Sequence, residues 1–124
     1  INKSPGHLCS VDDKDFSEYR YPENIPYCKR NVSTKTKDKI CKLYGVYDRT
    51  EYTVDHIIPL SLGGSNNIKN LWCQSRRITT SKLEFYYYQK VRDGEMRQVV
   101  AVHALLSWKF NPKGKDHIPK PPSD

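Results

Sequence analysis

Asp55 and His56 stand side by side in the stretch EYTVDHII, followed by Pro59, then Gly63-Gly64, then Asn70-Leu71-Trp72. A carboxylate beside an imidazole supplies a hard oxygen ligand for a divalent cation together with a base that is neutral near pH 7. Phosphodiester hydrolysis needs both, because a water must be made nucleophilic, charge on a pentavalent phosphorus stabilised and the departing oxygen helped. A metal held by Asp55 would meet the second and third needs, and His56 the first. Neighbouring residues on an ideal strand point to opposite faces, so a shared site requires a bulge or a strand end. Pro59, three residues on, favours a strand end.

The elements that must position this pair follow from the same stretch outward. Residues 51–58 alternate and are rich in β-branched and aromatic types, which predicts a strand that Pro59 ends. Gly63-Gly64-Ser65-Asn66-Asn67 reads as a tight turn or loop. Before it, Ser33 is a candidate N-cap for a short amphipathic helix with Ile40, Leu43 and Tyr44 on one face and Gly45 as its stop. After it, Leu83, Tyr87 and Val91 recur at intervals of four, and Met96, Val99, Val102 and Leu106 form a second pattern toward Trp108. Two helices joined at Asp93-Gly94 account for both. Residues 1–32 are expected to be an irregular arm, since Pro5, Gly6, Pro22 and Pro26 and the acidic cluster Asp12, Asp13 and Asp15 leave no sustained periodicity. Residues 111–124, with four prolines among lysines, read as a flexible tail. The expected class is α+β with little sheet.

At 124 residues the chain is sized for one domain and one core. It has no apolar run approaching the ~20 residues of a membrane span, which excludes a transmembrane helix. Residues 1–62 hold ten bases and nine acids, hence +1, whereas residues 63–124 hold eleven bases and five acids, hence +6. The positive field of the C-terminal half suits a polyanionic partner. Cys9, Cys28, Cys41 and Cys73 include no CxxC pair, which argues against structural zinc and for disulfides, with the pairing left open. Disulfides imply an oxidising compartment, secreted or periplasmic. No charged-then-apolar leader opens the chain at Ile1, so any signal peptide is expected to have been removed.

Read as it stands, YTVDHIIPLSLGGSNNIKNLW resembles the core motif of the HNH endonucleases, the ββα-metal superfamily. It is most similar to the bacterial branch whose motif runs DH-x-x-P-L-x-L-G-G-S-x-x-x-x-N-L-W. The resemblance implies a β-hairpin packed on a helix, spanning residues 51–92, with additional helices and the arm around it. By matching position, His56 would be the general base, Asp55 a metal ligand and Asn70 the residue that holds the loop and orients His56. Gly63 and Gly64 would let the hairpin connection turn tightly. Many HNH proteins carry a His or Asn nine residues after the middle asparagine as a further ligand. Here that position is Thr79, whose hydroxyl would be a weaker ligand, and Gln74, Ser81 or Glu84 could substitute for it, or water fill the place. The family often has Pro where Cys73 stands, which suggests that Cys73 was recruited to a disulfide with Cys41.

The expected activity is therefore a metal-dependent endonuclease acting on DNA, with RNA as a second substrate. Mg²⁺ or Mn²⁺ is the expected ion, and Zn²⁺ or Ni²⁺ a weaker alternative. Arg76, Arg77 and Lys82, with Lys90, Arg92 and Arg97 beyond them, would contact phosphates, which positions a backbone without reading bases. Tyr86, Tyr87 and Tyr88 span too much of a helix circumference to stack on one ligand, so at least one belongs to the core. His103 and His117 gain no support as ligands, and neither does His7. Two rival readings remain: a non-catalytic basic nucleic-acid-binding module on the same scaffold, and a toxin domain held by an immunity or inhibitor protein. The chain is expected to be monomeric.

Overall fold

A computed structural model describes residues 5–111 of the chain. The fold is α+β, with two small antiparallel hairpins and three helices. The first hairpin pairs β1 (Phe16–Arg20) with β2 (Ile25–Cys28), and the second pairs β3 (Tyr52–His56) with β4 (Leu71–Ser75). The helices are α1 (Thr34–Leu43), α2 (Ser81–Arg92) and α3 (Gln98–Phe110). Among the described residues no helix is long and apolar enough to cross a membrane.

Each helix begins and ends where local chemistry dictates. Ser33 is extended and its hydroxyl accepts the Thr36 N–H at 3.1 Å, satisfying a donor that the first turn of α1 leaves without a partner. Gly45 then takes φ of +78° and accepts the chain reversal that stops the helix. Between α2 and α3, Gly94 does the same with φ of +73°. Leu83, Tyr87 and Val91 of α2 meet Ala101, Leu105 and Trp108 of α3 in one buried cluster with Ile57, Ile58, Leu62 and Trp72. The four-residue spacing on α2 is thus the stripe that packs against the second hairpin and α3.

The arm is not irregular. Its middle folds into the β1–β2 hairpin, and the prolines read as interruptions sit where a hairpin tolerates them. Pro22 lies in the reversal between Tyr21 and Asn24, whose φ values are +67° and +55°, and Pro26 lies in a two-stranded sheet where both strands are edges. The register slips between Phe16 and Glu18, a bulge that hides the alternation from a pattern search. The tail expected from residue 111 lies outside the described residues beyond Asn111, and His117 with it.

All four cysteines are paired. Cys9 bonds Cys28, closing the arm onto its own hairpin, and Cys41 of α1 bonds Cys73 of β4, fastening that helix to the second hairpin. The residues they separate are 19 and 32 positions apart. The Cys41–Cys73 bridge removes more freedom from the unfolded chain because its loop is longer. Replacing Cys41 and Cys73 together by serine is expected to lower stability in urea by about 3 kcal/mol, and the intact protein to weigh less than its reduced form by four hydrogens, two per bridge.

Candidate active site

The second hairpin does not close with a tight turn. Residues 57–70 leave β3 and return to β4, forming 3-10 turns at Leu60–Leu62 and Ile68–Asn70, and the register of the two strands ends at the pair His56 and Leu71. The strand predicted to reach residue 58 stops at His56 because a side chain replaces the ladder there. Asn70 is fully buried; its Oδ1 accepts the Ile58 N–H at 2.8 Å, and its Nδ2 donates to the carbonyls of Ile58 at 3.0 Å and Ser65 at 2.8 Å. The Asn70 carbonyl takes the Ile57 N–H at 2.7 Å, and the His7 N–H reaches Oδ1 at 3.3 Å. Gly63 turns the chain with φ of +88°, and a Cβ on Gly64 would lie 1.8 Å from the Ile58 carbonyl oxygen. The glycines therefore permit one step within a longer loop.

His56 is 5% exposed and sits at the strand end beside Asp55 with no bulge between them. Both residues line one cleft of about 420 Å³. The ring of His56 meets Asn66, Nε2 to Oδ1, at 3.0 Å. Burial pushes the His56 pKa down, as does the charge of Arg30, while the Asn66 hydrogen bond and the Asp55 carboxylate work the other way. The imidazole is consequently neutral near pH 7.

Asp55 and Glu84 are joined by a cation of the protein itself. The Lys109 ammonium, with a wholly buried side chain, lies 3.0 Å from Asp55 Oδ2, 2.7 Å from Glu84 Oε2, and 2.9 and 2.8 Å from the carbonyls of His56 and Ile57. Trp72 Nε1 donates to the same Asp55 oxygen at 3.1 Å, and the Thr80 hydroxyl to the same Glu84 oxygen at 3.1 Å. Burial and the neighbouring Asp55 charge raise the Glu84 pKa against the pull of Lys109. The sequence carried a signal for Lys109. It follows Ala101, Leu105 and Trp108 at spacings that place it on the buried stripe of α3, where an ammonium must find anionic partners.

The remaining candidates divide by position. Thr79 lines a second, shallower cleft with Asp55, Glu84, Gln74, Ser81 and Arg76; the hydroxyl that bonds Glu84 is that of Thr80. Arg77 and Lys82 are exposed, on the loop before α2 and in its first turn. The tyrosines separate by face: Tyr87 is buried, Tyr86 packs against the core and Tyr88 lines the main cleft. Arg20 and Arg30, from the nearly neutral half of the chain, also line that cleft with Tyr21 and Tyr27. The guanidinium of Arg20 stacks on the Tyr27 ring at 3.5 Å and pairs with Glu18.

Residues 39–75 match the family model described as HNH endonuclease. This stretch is an HNH-family segment. Neither the curated proteins nor the solved structures compared with the chain give a match. The HNH segment runs from within α1 to the end of β4 and contains Asp55, His56 and Asn70, whereas Thr79, Glu84 and Lys109 lie beyond it. Nucleases of this family generally use a divalent metal. No cluster of three or more His, Cys, Asp or Glu side chains that could cage an ion exists among the described residues, so the donors do not suit a closed zinc site. They do suit a hard ion that takes few protein ligands and keeps its waters. The hydrogen bonds to Lys109, Trp72 and Thr80 all fall on one oxygen of each carboxylate, and Asp55 and Glu84 face the main cleft together.

Removing one member of a buried ion cluster strands the others. Lys109→Met is expected to cost about 3 kcal/mol or more of stability in urea denaturation. Adding Glu84→Gln to it should restore part of that loss, which would identify the carboxylate as the partner left uncompensated.

Proposed function

We propose that the chain is a metal-dependent endonuclease that hydrolyses phosphodiester bonds of DNA, and of RNA as a second substrate, with low sequence specificity. The observation that supports this most is the convergence in one cleft of the HNH pair Asp55-His56 with Glu84, two arginines and three tyrosines. A phosphate backbone lying there would find Arg20 and Arg30 for its charge and aromatic faces for its sugars or bases. Arg76, Arg77 and Lys82 would extend those contacts along the neighbouring surface.

In this reading the neutral imidazole of His56 takes a proton from the attacking water, a task for which burial prepares it by keeping the ring uncharged. Asp55 and Glu84 would hold Mg²⁺ or Mn²⁺. Such an ion supplies charge stabilisation at phosphorus and at the departing oxygen. Asn70 holds the loop that ends behind His56. The two disulfides support a secreted or periplasmic setting.

A second reading, a basic module that binds nucleic acid without cutting it, draws on Lys109, whose ammonium already offsets part of the carboxylate charge. Turnover separates the two. Supercoiled plasmid at low salt should be cut with Mg²⁺ or Mn²⁺ and not with chelator, and His56→Ala should lose about a hundredfold or more in rate. Binding by both proteins with cutting by neither would favour the module. Because the His56 pKa is lowered, the ring stays a free base at pH values where an ordinary imidazole, pKa about 6.5, has begun to protonate. The acidic limb of a kcat/KM profile should accordingly have its midpoint below that value, and a midpoint above it would count against His56 as the base.

A further inference from the structure

The ring of His56 is held by Asn66 of the same HNH segment, and Asn66 is in turn held from outside that segment. The His56 Nε2 meets the Asn66 Oδ1 at 3.0 Å, and the amide of Asn66 is itself fixed on its other side. Asn66 Nδ2 donates to Asp15 Oδ2 at 3.0 Å and to the Lys29 carbonyl at 2.8 Å. Both partners are acceptors only, so the nitrogen must face them and the oxygen must face His56. The Asn31 N–H, pointing at the same oxygen from 3.2 Å, gives the same orientation. An oxygen that only accepts compels Nε2 to carry the ring hydrogen. The lone pair then belongs to Nδ1, which takes no hydrogen bond among the described residues.

Asp15 is 4% exposed and spends its two oxygens on this arrangement, one on Asn31 Nδ2 at 2.8 Å and the other on Asn66. It immediately precedes β1, and Lys29 immediately follows β2, so the open end of the first hairpin presents both acceptors together. The Lys29 N–H closes that end on the Asp15 carbonyl at 3.0 Å, and the Cys9–Cys28 disulfide ties it to the arm. We propose that Asn66, held by Asp15, is a positioning residue that fixes the orientation and the tautomer of His56, and that the open end of the first hairpin serves to hold the Asn66 amide in place. The proposal rests on His56 acting as the base, since only then does it matter which nitrogen bears the lone pair.

The two ideas can fail separately. Long-range proton–nitrogen correlation spectra of protein labelled in its histidine nitrogens, at pH 7.5 with no metal, read the tautomer directly, and the His56 signals are identified by their loss in His56→Gln. In the unmodified protein His56 should be protonated at Nε2 and bare at Nδ1; the opposite tautomer overturns the proposal whatever the activity. Asn66→Ala should give a mixture of tautomers and lower kcat by about tenfold to a hundredfold with KM unchanged within about twofold. Asp15→Asn keeps one of the two acceptors and should show a smaller effect in the same direction. A fall in kcat with the tautomer intact would make Asn66 a merely structural residue and sink the idea, as would unchanged kcat and tautomer beside an inactive His56→Ala. Should Asn66→Ala fail to fold, the spectrum of the unmodified protein and the Asp15→Asn variant decide. If His56→Ala cuts as well as the unmodified protein, the endonuclease reading falls, while the spectra still report the tautomer.

Discussion

A long connection between two short strands leaves the backbone at its neck without a ladder to join. Here the neck is closed by one buried carboxamide. Asn70 gives Ile58 both a donor and an acceptor, as a neighbouring strand would, and holds Ser65 across the loop at the same time. A buried peptide group without a partner is costly, so the loop takes the one path that keeps these groups satisfied. That path decides where β3 ends. Asp55 and His56 can serve a single cleft because the strand stops between them and the loop, with His56 its last residue. The tight packing of Gly64 against the Ile58 carbonyl belongs to the same constraint, since any side chain at that position would collide with the clamp.

Behind the cleft, charge is balanced by Lys109 within the core. Two carboxylates that share a site repel one another, and burial adds to the cost at Glu84, which the ammonium partly offsets. The ammonium arrives from α3, the last element in the chain, and also takes two backbone carbonyls at the end of β3. It therefore joins the electrostatics of the cleft to helix packing: Trp108, its neighbour, lies in the same buried cluster as Trp72, which donates to Asp55. A substitution in α3 would be felt at Asp55 through this cluster, although α3 lies outside the HNH segment.

The front of the cleft depends on the arm. Gly6 and Cys9 bond the loop at Lys69 and Gly63, and the Ser65 N–H reaches the carbonyl of His7. The β1–β2 hairpin then supplies Arg20, Tyr21 and Tyr27 to the cleft wall. Disulfides matter here for a physical reason. A two-stranded sheet of this length is marginal by itself in water, and closing Cys9 on Cys28 limits the states available to it when it is not docked.

By itself the sequence determined the elements whose signals are local. Ser33 and Gly45 bound α1, the spacing of Leu83, Tyr87 and Val91 marks the inner face of α2, and the run from Asp55 to Trp72 carries the HNH core with its hairpin and its asparagine. It also favoured disulfides over zinc, because the cysteines lack metal-ligand spacing. The hairpin inside the arm escaped notice because a bulge and two prolines interrupt the period by which strands are recognised. Only the tertiary structure decided what surrounds the candidate base and its neighbouring carboxylates. Asp15 lies 51 residues from Asn66 and Lys109 54 residues from Asp55, and although Lys109 falls on the buried stripe of α3, that pattern does not say which carboxylate it meets. A polar side chain takes its meaning from the partner it meets, and partners across such separations are brought together only by the folding of the elements between them.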